Sequence, residues 1–179
     1  SEEQDKSGQT PLHHAAQVGN VDILRALVKA GASVHACARG KWCVGVTALH
    51  IAAENGRTAA VRLLLKSEVD PDVRDGERYT PLHYAAENNH VEVVDLLVEA
   101  RANVEAPDKL QRTPLHYAAE SGALGAIRHL LLAQAAVNAE DHLGKTPLLC
   151  AAEAGTVEAM ELLLRGGAGA LHPDRRGGP

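Results

Sequence analysis

The sequence predicts an all-α solenoid built from five similar helix-turn-helix units. One observation is the string TPLH, or a close relative of it, which recurs in steps of 37, 33, 33 and 33 residues and begins at Thr10, Thr47, Thr80, Thr113 and Thr146. A second is that 45% of the 179 residues are hydrophobic, whereas aromatic residues make up only 2% and Phe is absent. Small Ala, Leu and Val side chains suit closely packed helices. A fixed period of this length is typical of units that bury a common core by stacking.

A first helix is expected to begin at each of these threonines. Thr80 can act as the N-cap, and Pro81 can occupy the first helical position, where a missing N–H costs nothing. A residue that tolerates left-handed backbone lies nine positions after each threonine and should end the helix. These residues are Gly19, Gly56, Asn89, Gly122 and Gly155.

A second helix should follow in each unit, as in VEVVDLLVEA at 91–100, where Val and Leu recur on one face. Both helices are too short to be stable alone in water. Every first helix also contains an Ala pair, such as Ala85 and Ala86, which lets adjacent units approach closely. Stability should therefore come from contacts between neighbouring units.

The T-P-L-H-x-A string and its period resemble the ankyrin repeat, a β-turn followed by two helices. The five copies cover the chain from about Asp5 to His172. The resemblance implies an ankyrin-repeat domain over 5–172, with projecting β-hairpin fingers between units, followed by a flexible tail at 173–179. The repeats should span approximately 5–37, 38–74, 75–107, 108–140 and 141–172.

The resemblance also implies a protein-binding module, a scaffold or adaptor that holds a partner protein or peptide on its concave face and fingers. No nucleophile–base pair, phosphate-binding loop or ligand cluster stands out from the repeat pattern, so neither an enzyme nor a cofactor is expected. The alternative is a regulatory ankyrin domain of a larger multidomain enzyme or channel. The last unit favours this alternative, because VEAMELLLRGGAGAL is as apolar as an internal unit.

Composition and charge argue against other classes of function. The formal net charge of −5 lacks the basic excess of a nucleic-acid-binding protein. No apolar run approaches the roughly 20 residues that cross a bilayer, so membrane insertion is not expected. Three cysteines at irregular spacing fit a reducing compartment. We therefore expect a monomeric protein of the cytoplasm or nucleus.

Four histidines share one position of the repeat, which suggests either a metal site or a structural role. They are His13, His50, His83 and His116. Stacking places them about one repeat apart, too far for several to bind one ion, so no metal site is expected. In ankyrin repeats this histidine hydrogen-bonds around the threonine that begins the helix, and the resemblance gives that structural role to the histidines and threonines here. Leu149 takes the position in the fifth unit.

The second unit is four residues longer than the next three, and the extra residues should lengthen one finger. In the stretch CARGKWCVGVTALH, Arg39, Lys41 and Trp42 should lie at or near the finger tip. An exposed Trp beside two cations is a reasonable anchor for a partner. A Trp that folds back onto the adjoining hairpin is an equally open interpretation. The H-x-C-x5-C spacing of this region is only a weak match to a zinc site.

The concave face of the predicted solenoid should present an acidic row and an apolar stripe. Seven residues after the threonines lie Glu54, Glu87, Glu120 and Glu153. Four residues after the threonines lie His14, Ile51, Tyr84 and Tyr117. The finger residues directly before the threonines vary freely and include Tyr79, Arg112 and Lys145. We expect this face to bind a segment with apolar anchors and some Lys or Arg; the alternative is that the Glu side chains are merely solvated.

Glycine is missing from two positions of the repeat in some units. The Gly near the end of the second helix is replaced by Glu68, Arg101 and Gln134, and the Gly two residues before the threonine is replaced by Arg78 and Gln111. If the three second-helix replacements adopt left-handed backbone, each costs roughly 1 kcal/mol relative to Gly.

One modification site is also suggested by the resemblance. A hydroxylase modifies Asn at the finger base in this family when Leu lies eight residues earlier. Leu130 and Asn138 match that pattern.

Overall fold

A computed structural model describes residues 3–38 and 44–169 of the chain. In these ranges the chain forms ten α-helices in five consecutive pairs. The bounds are Pro11–Val18 (α1), Val21–Lys29 (α2), Ala48–Glu54 (α3), Thr58–Lys66 (α4), Pro81–Glu87 (α5), Val91–Glu99 (α6), Pro114–Ser121 (α7), Leu124–Leu132 (α8), Pro147–Ala154 (α9) and Val157–Arg165 (α10). The predicted all-α helix-turn-helix fold is confirmed. Arg39, Lys41, Trp42 and the predicted tail at 173–179 lie outside the described residues.

The helices stack in two layers. The first helices of the units, α1, α3, α5, α7 and α9, follow one another in the first-helix layer, and the even-numbered helices form the second-helix layer in the same order. The core lies between the layers and is built from fully buried Leu side chains and the predicted Ala pairs. Ala152 is the exception among those pairs: it is exposed, because α9 has no further first helix beside it in the described part of the chain. No helix within 3–38 or 44–169 is long and apolar enough to cross a bilayer.

Each first helix begins and ends where the sequence predicted. The N-cap threonine has extended backbone in all five units, as in Thr80 with φ −98° and ψ 164°. The positions predicted to end the helix have left-handed backbone, including the non-glycine residue Asn89 at φ 57°. Asn tolerates this region better than most residues, which explains why it can replace Gly there.

The fingers contain tight turns, and no strand is assigned to them within 3–38 and 44–169. In four of the five units an Asp five residues before the threonine accepts two backbone N–H groups with its Oδ1, from the residues two and four positions later. These residues are Asp5, Asp75, Asp108 and Asp141. The carboxylate thus takes up amides that a strand ladder would use, and the result is a tight turn. An isolated bridge between Cys37 and Thr47 is the β-type pairing seen in the described residues.

The residues that replace glycine do adopt left-handed backbone. Glu68, Arg101 and Gln134 have φ of 60°, 69° and 67°, and Arg78 and Gln111 have φ of 67° and 61°. Glycines at the same positions in other units have the same conformation, for example Gly31 at φ 88° and Gly144 at φ 74°. The fold of the repeat therefore imposes this geometry whatever residue is present, and the middle units carry the strain.

Candidate partner-binding face

In four of the five units, a histidine of the first helix joins its unit to the next one. Nδ1 of the four histidines accepts the backbone N–H of the N-cap threonine at 3.0–3.1 Å. The proton must then sit on Nε2, which donates to the carbonyl oxygen of the residue before the next threonine. For His83 this acceptor is Arg112, at 3.2 Å, and for His116 it is Lys145, at 3.0 Å. Each histidine therefore fixes the base of the following finger.

Burial favours the neutral form of His50, His83 and His116. All four histidines are exposed by 2% or less. Burial lowers the pKa of His50 and His116, and it lowers the pKa of His83 to about 4. A neutral ring is also what the hydrogen bonds demand, because Nδ1 must accept while Nε2 donates. In the fifth unit Leu149 is 49% exposed, and the N-cap Thr146 receives only a long bond from the Leu149 N–H, at 3.4 Å.

The predicted apolar stripe differs from the observed surface. Ile51 and Tyr117 are only 5% and 8% exposed, and Tyr84 is half-buried. The tyrosine hydroxyls turn toward their own fingers, where Tyr84 donates to Asp75 Oδ2 and Tyr117 donates to Asp108 Oδ2, each at 2.7 Å. The stripe therefore supports the fingers and offers little free apolar area.

The repeat pattern contained a signal for these bonds that the stripe hypothesis overlooked. In the first unit His14 is paired with Asp5, its Nε2 lying 3.0 Å from Oδ2, so three units pair a polar ring with the finger Asp. The second unit has Ile51 at the ring position. Ala38 takes the place of the Asp there, because its N–H donates to the Val46 carbonyl oxygen just as the N–H of each Asp donates to the residue before its threonine. Unit five keeps the finger Asp, Asp141, but has Cys150 at the ring position, so three of the four units that have the Asp also form the pair.

The three tyrosines of the chain form one cluster at units three and four. The Tyr117 hydroxyl, whose proton goes to Asp108, accepts from the Tyr79 hydroxyl at 2.8 Å. The Tyr79 ring lies edge-on to Tyr117 and to Tyr84, with centroid separations of 5.3 and 5.8 Å. Burial and these hydrogen bonds raise the pKa of Tyr84 and Tyr117 far above the ordinary value. Tyr79 thus links its own finger to α5 and α7.

The acidic row is exposed, and two of its four members are neutralised by their own fingers. Arg112 forms an ion pair with Glu120, and Lys145 Nζ lies 2.7 Å from Glu153 Oε2. The Arg112 guanidinium also lies over the Tyr117 ring, 4.1 Å from its centroid. The predicted finger residues Arg112 and Lys145 therefore contact the predicted acidic row within one chain.

Glu54 and Glu87 differ from the other two members of the row. They occupy the same position in adjacent units, and neither has an ion-pair partner among the described residues. The pKa of Glu54 is raised, first by partial burial and second by the negative charge of Glu87. Units two and three therefore carry the uncompensated negative charge of this face.

Metal binding has no support in the described part of the chain, where no group of three or more His, Cys, Asp or Glu side chains is placed to hold an ion. Cys37 is an exposed free thiol, and Cys150 is buried with its pKa raised by that burial. Cys43, which belongs to the H-x-C-x5-C spacing, lies outside the described residues.

Comparisons with known proteins agree with the architecture. A family model described as Ankyrin repeats matches three overlapping stretches, residues 1–75, 49–141 and 106–176. The chain is 37% identical over 78 residues to Alpha-latrotoxin-Lg1a of Latrodectus geometricus, 34% identical over 77 residues to Ankyrin repeat and SOCS box protein 3 of Bos taurus, and 36% identical over 80 residues to Inversin of Gallus gallus.

These matches cover 43%, 43% and 45% of this chain but only 6%, 14% and 7% of the respective relatives. The relatives are therefore similar to this chain over only a small part of their own length. Together with the family match along nearly the whole sequence, the stacked helix pairs and the histidine-capped threonines, they place the chain in the ankyrin-repeat family.

Proposed function

We propose that this chain binds a protein or peptide segment on the first-helix layer over units two and three. The observation that carries the proposal is the pair Glu54 and Glu87, two like charges side by side without a cation among the described residues. A Lys or Arg from a partner would relieve their repulsion.

The neighbouring units supply an internal analogue of this contact. Arg112 and Lys145 occupy the finger position directly before the threonine and meet Glu120 and Glu153 of their own units. At the same finger position the second and third units have Val46 and Tyr79, which cannot neutralise a carboxylate. In units two and three, the cation would come from the partner.

The long finger of the second unit is the second element of the proposal. It precedes, in the sequence, the helix that carries Glu54. Trp42 would supply the apolar anchor, with Arg39 and Lys41 selecting acidic groups of the same partner. A scaffold or adaptor role in the cytoplasm or nucleus, as a monomer, fits the acidic composition and the free thiol of Cys37.

A selection from a displayed library of random peptides tests the proposal. We expect enriched sequences to combine Lys or Arg with apolar residues, and the double variant Glu54→Lys, Glu87→Lys to bind them at least tenfold more weakly. The matched control is Glu92→Lys, Glu99→Lys, which makes the same charge change on the second-helix layer of unit three. Equal binding by both double variants would contradict the proposal, and Trp42→Ala reports separately on the long finger.

A second proposal is that the chain acts as the regulatory ankyrin domain of a larger multidomain protein. The relatives are far longer than the segments that match, and Ala152 leaves α9 with small apolar surface on the side where another unit would stack. Expression of this chain together with the rest of the protein encoded by its gene would test this second proposal, with the melting temperature as the measurement. If another unit stacks on α9, the melting temperature of the fifth unit should rise.

A further inference from the structure

Four cationic side chains border a groove on the opposite side of the molecule, between α2 and α4. We call it the basic groove: its rim is formed by Arg25, Lys29, Arg62 and Lys66, and its volume is about 420 Å³. All four rim residues are exposed. The groove lies in the second-helix layer, away from the acidic row of the first-helix layer.

The positions of these cations in the repeat make the arrangement electrostatically unfavourable. Arg25 and Arg62 both lie fifteen residues after their threonine, and Lys29 and Lys66 both lie nineteen residues after it. Each helix thus places like charges at i and i+4, which is destabilising, and stacking brings the two pairs side by side. The one acidic residue on these two helices is Asp22, which pairs with Arg25 at 3.2 Å.

This cluster is a local feature and not a property of the whole layer. At the same two positions unit three has Asp95 and Glu99, so the sign of the charge reverses. Asp95 is paired with His129 on α8, on the side away from the groove. Four cations gathered in a chain of net charge −5 indicate a site for a negatively charged ligand.

The floor of the basic groove indicates that the ligand has an apolar part as well as negative charge. It is lined by Val21, Val28, Ala59 and Leu63, and the hydroxyl of nearby Ser67 already donates to the Leu63 carbonyl at 3.1 Å. An inorganic anion would gain nothing from this apolar floor. An anionic membrane would need apolar side chains that protrude, whereas these line a recess. A peptide with an apolar side chain between carboxylates fits both the floor and the rim.

We propose that the basic groove binds a short acidic segment of a partner protein, in which a Leu-like side chain enters the groove and flanking Asp or Glu side chains meet the four cations. This interaction is independent of the proposed function, because it uses the other layer and the opposite charge. One chain could then hold a basic segment and an acidic segment at the same time.

The test uses a fluorescein-labelled peptide in which Glu recurs at every fourth position on both sides of a single Leu. Binding to the whole chain is followed by fluorescence anisotropy at low and high salt. The variant is Arg25→Glu, Lys66→Glu. The matched control is Arg128→Glu, Arg165→Glu, which changes the same two repeat positions in units four and five. Circular dichroism checks that both variants remain folded.

We expect salt-sensitive binding that weakens at least tenfold in the groove variant and stays within twofold in the control. Replacing Glu by Gln, or Leu by Ala, in the peptide should also weaken binding. Absence of binding, or equal loss in both variants, would overturn the proposal. Binding to phosphatidylserine vesicles without binding to the peptide would overturn it in favour of a membrane surface. A dimer in sedimentation velocity that the groove variant disperses would overturn it in favour of a second copy of the chain.

Discussion

The imidazole of His83 joins two units of the solenoid, because its Nε2 donates to the Arg112 carbonyl oxygen at 3.2 Å while its Nδ1 accepts the N–H of Thr80 at 3.0 Å. Protonation of Nδ1 would turn this acceptor into a donor and place a charge in a site that is 2% exposed. The same side chain therefore caps a helix, fixes a finger and makes both depend on pH.

Stability should fall as the pH drops from 6.5 toward 4. The pKa of His83 is about 4 in the folded chain, and an unfolded histidine titrates near 6.5, so the unfolded state binds the proton first. The stabilisation is complete above pH 6.5, and at pH 5 roughly 2 kcal/mol of it is lost for His83 alone. His50 and His116 act in the same direction.

Urea denaturation at pH 7 and pH 5 measures this loss. The variant His83→Leu, which copies the residue at this position in the fifth unit, should show a smaller difference between the two pH values. The exposed His142→Ala variant serves as the control and should keep the full difference. An unchanged pH dependence in His83→Leu would contradict the prediction.

The Tyr117 hydroxyl should contribute more to stability than the Tyr84 hydroxyl. Tyr117→Phe removes a donor from Asp108, which is 1% exposed, and an acceptor from Tyr79, so we expect a loss of roughly 1 to 3 kcal/mol. Tyr84→Phe removes one bond, to Asp75, at a half-buried site, and should cost about 0.5 to 1.5 kcal/mol. Urea denaturation of both variants at pH 7 compares them, and a larger loss in Tyr84→Phe would contradict this order.

Glycine at a strained position should stabilise the chain. Arg101 has φ 69°, so Arg101→Gly should increase the free energy of unfolding by roughly 0.5 to 1 kcal/mol. The neighbouring Ala100 has φ −76°, and Ala100→Gly should decrease it by a similar amount, because Gly there only adds freedom to the unfolded chain. The urea midpoints of the two variants should therefore move in opposite directions, and a shift of both to lower urea would refute the argument.

Hydroxylation of Asn138 stays a prediction, and the structure adds a condition to it. Asn138 is exposed, and its Oδ1 accepts the Gly169 N–H at 3.1 Å, whereas Leu130 is fully buried. A hydroxylase that recognises both residues must act on a locally opened unit. Intact mass after incubation with the enzyme should show one added oxygen, with a higher yield in mild urea, and none in Asn138→Asp. A mass without added oxygen ends the idea.

The candidate site was predictable in its residues but not in its pairing. The four carboxylates of the acidic row follow from one position of the repeat. The sequence could not show that Glu120 and Glu153 are neutralised by their fingers while Glu54 and Glu87 have no cationic partner in the described residues. That difference depends on how side chains of separate segments meet.

The sequence by itself determined the repeat, the two helices of each unit, the caps and the left-handed positions, because each rests on residues a few positions apart. Only the tertiary structure decided that the tyrosine hydroxyls bond to the finger carboxylates and that cations of two units border one groove. Local backbone preferences act within a unit, so they appear as the same residues at the same positions of each repeat. Charge compensation and burial arise between units and fingers, where the distance between side chains is set by stacking.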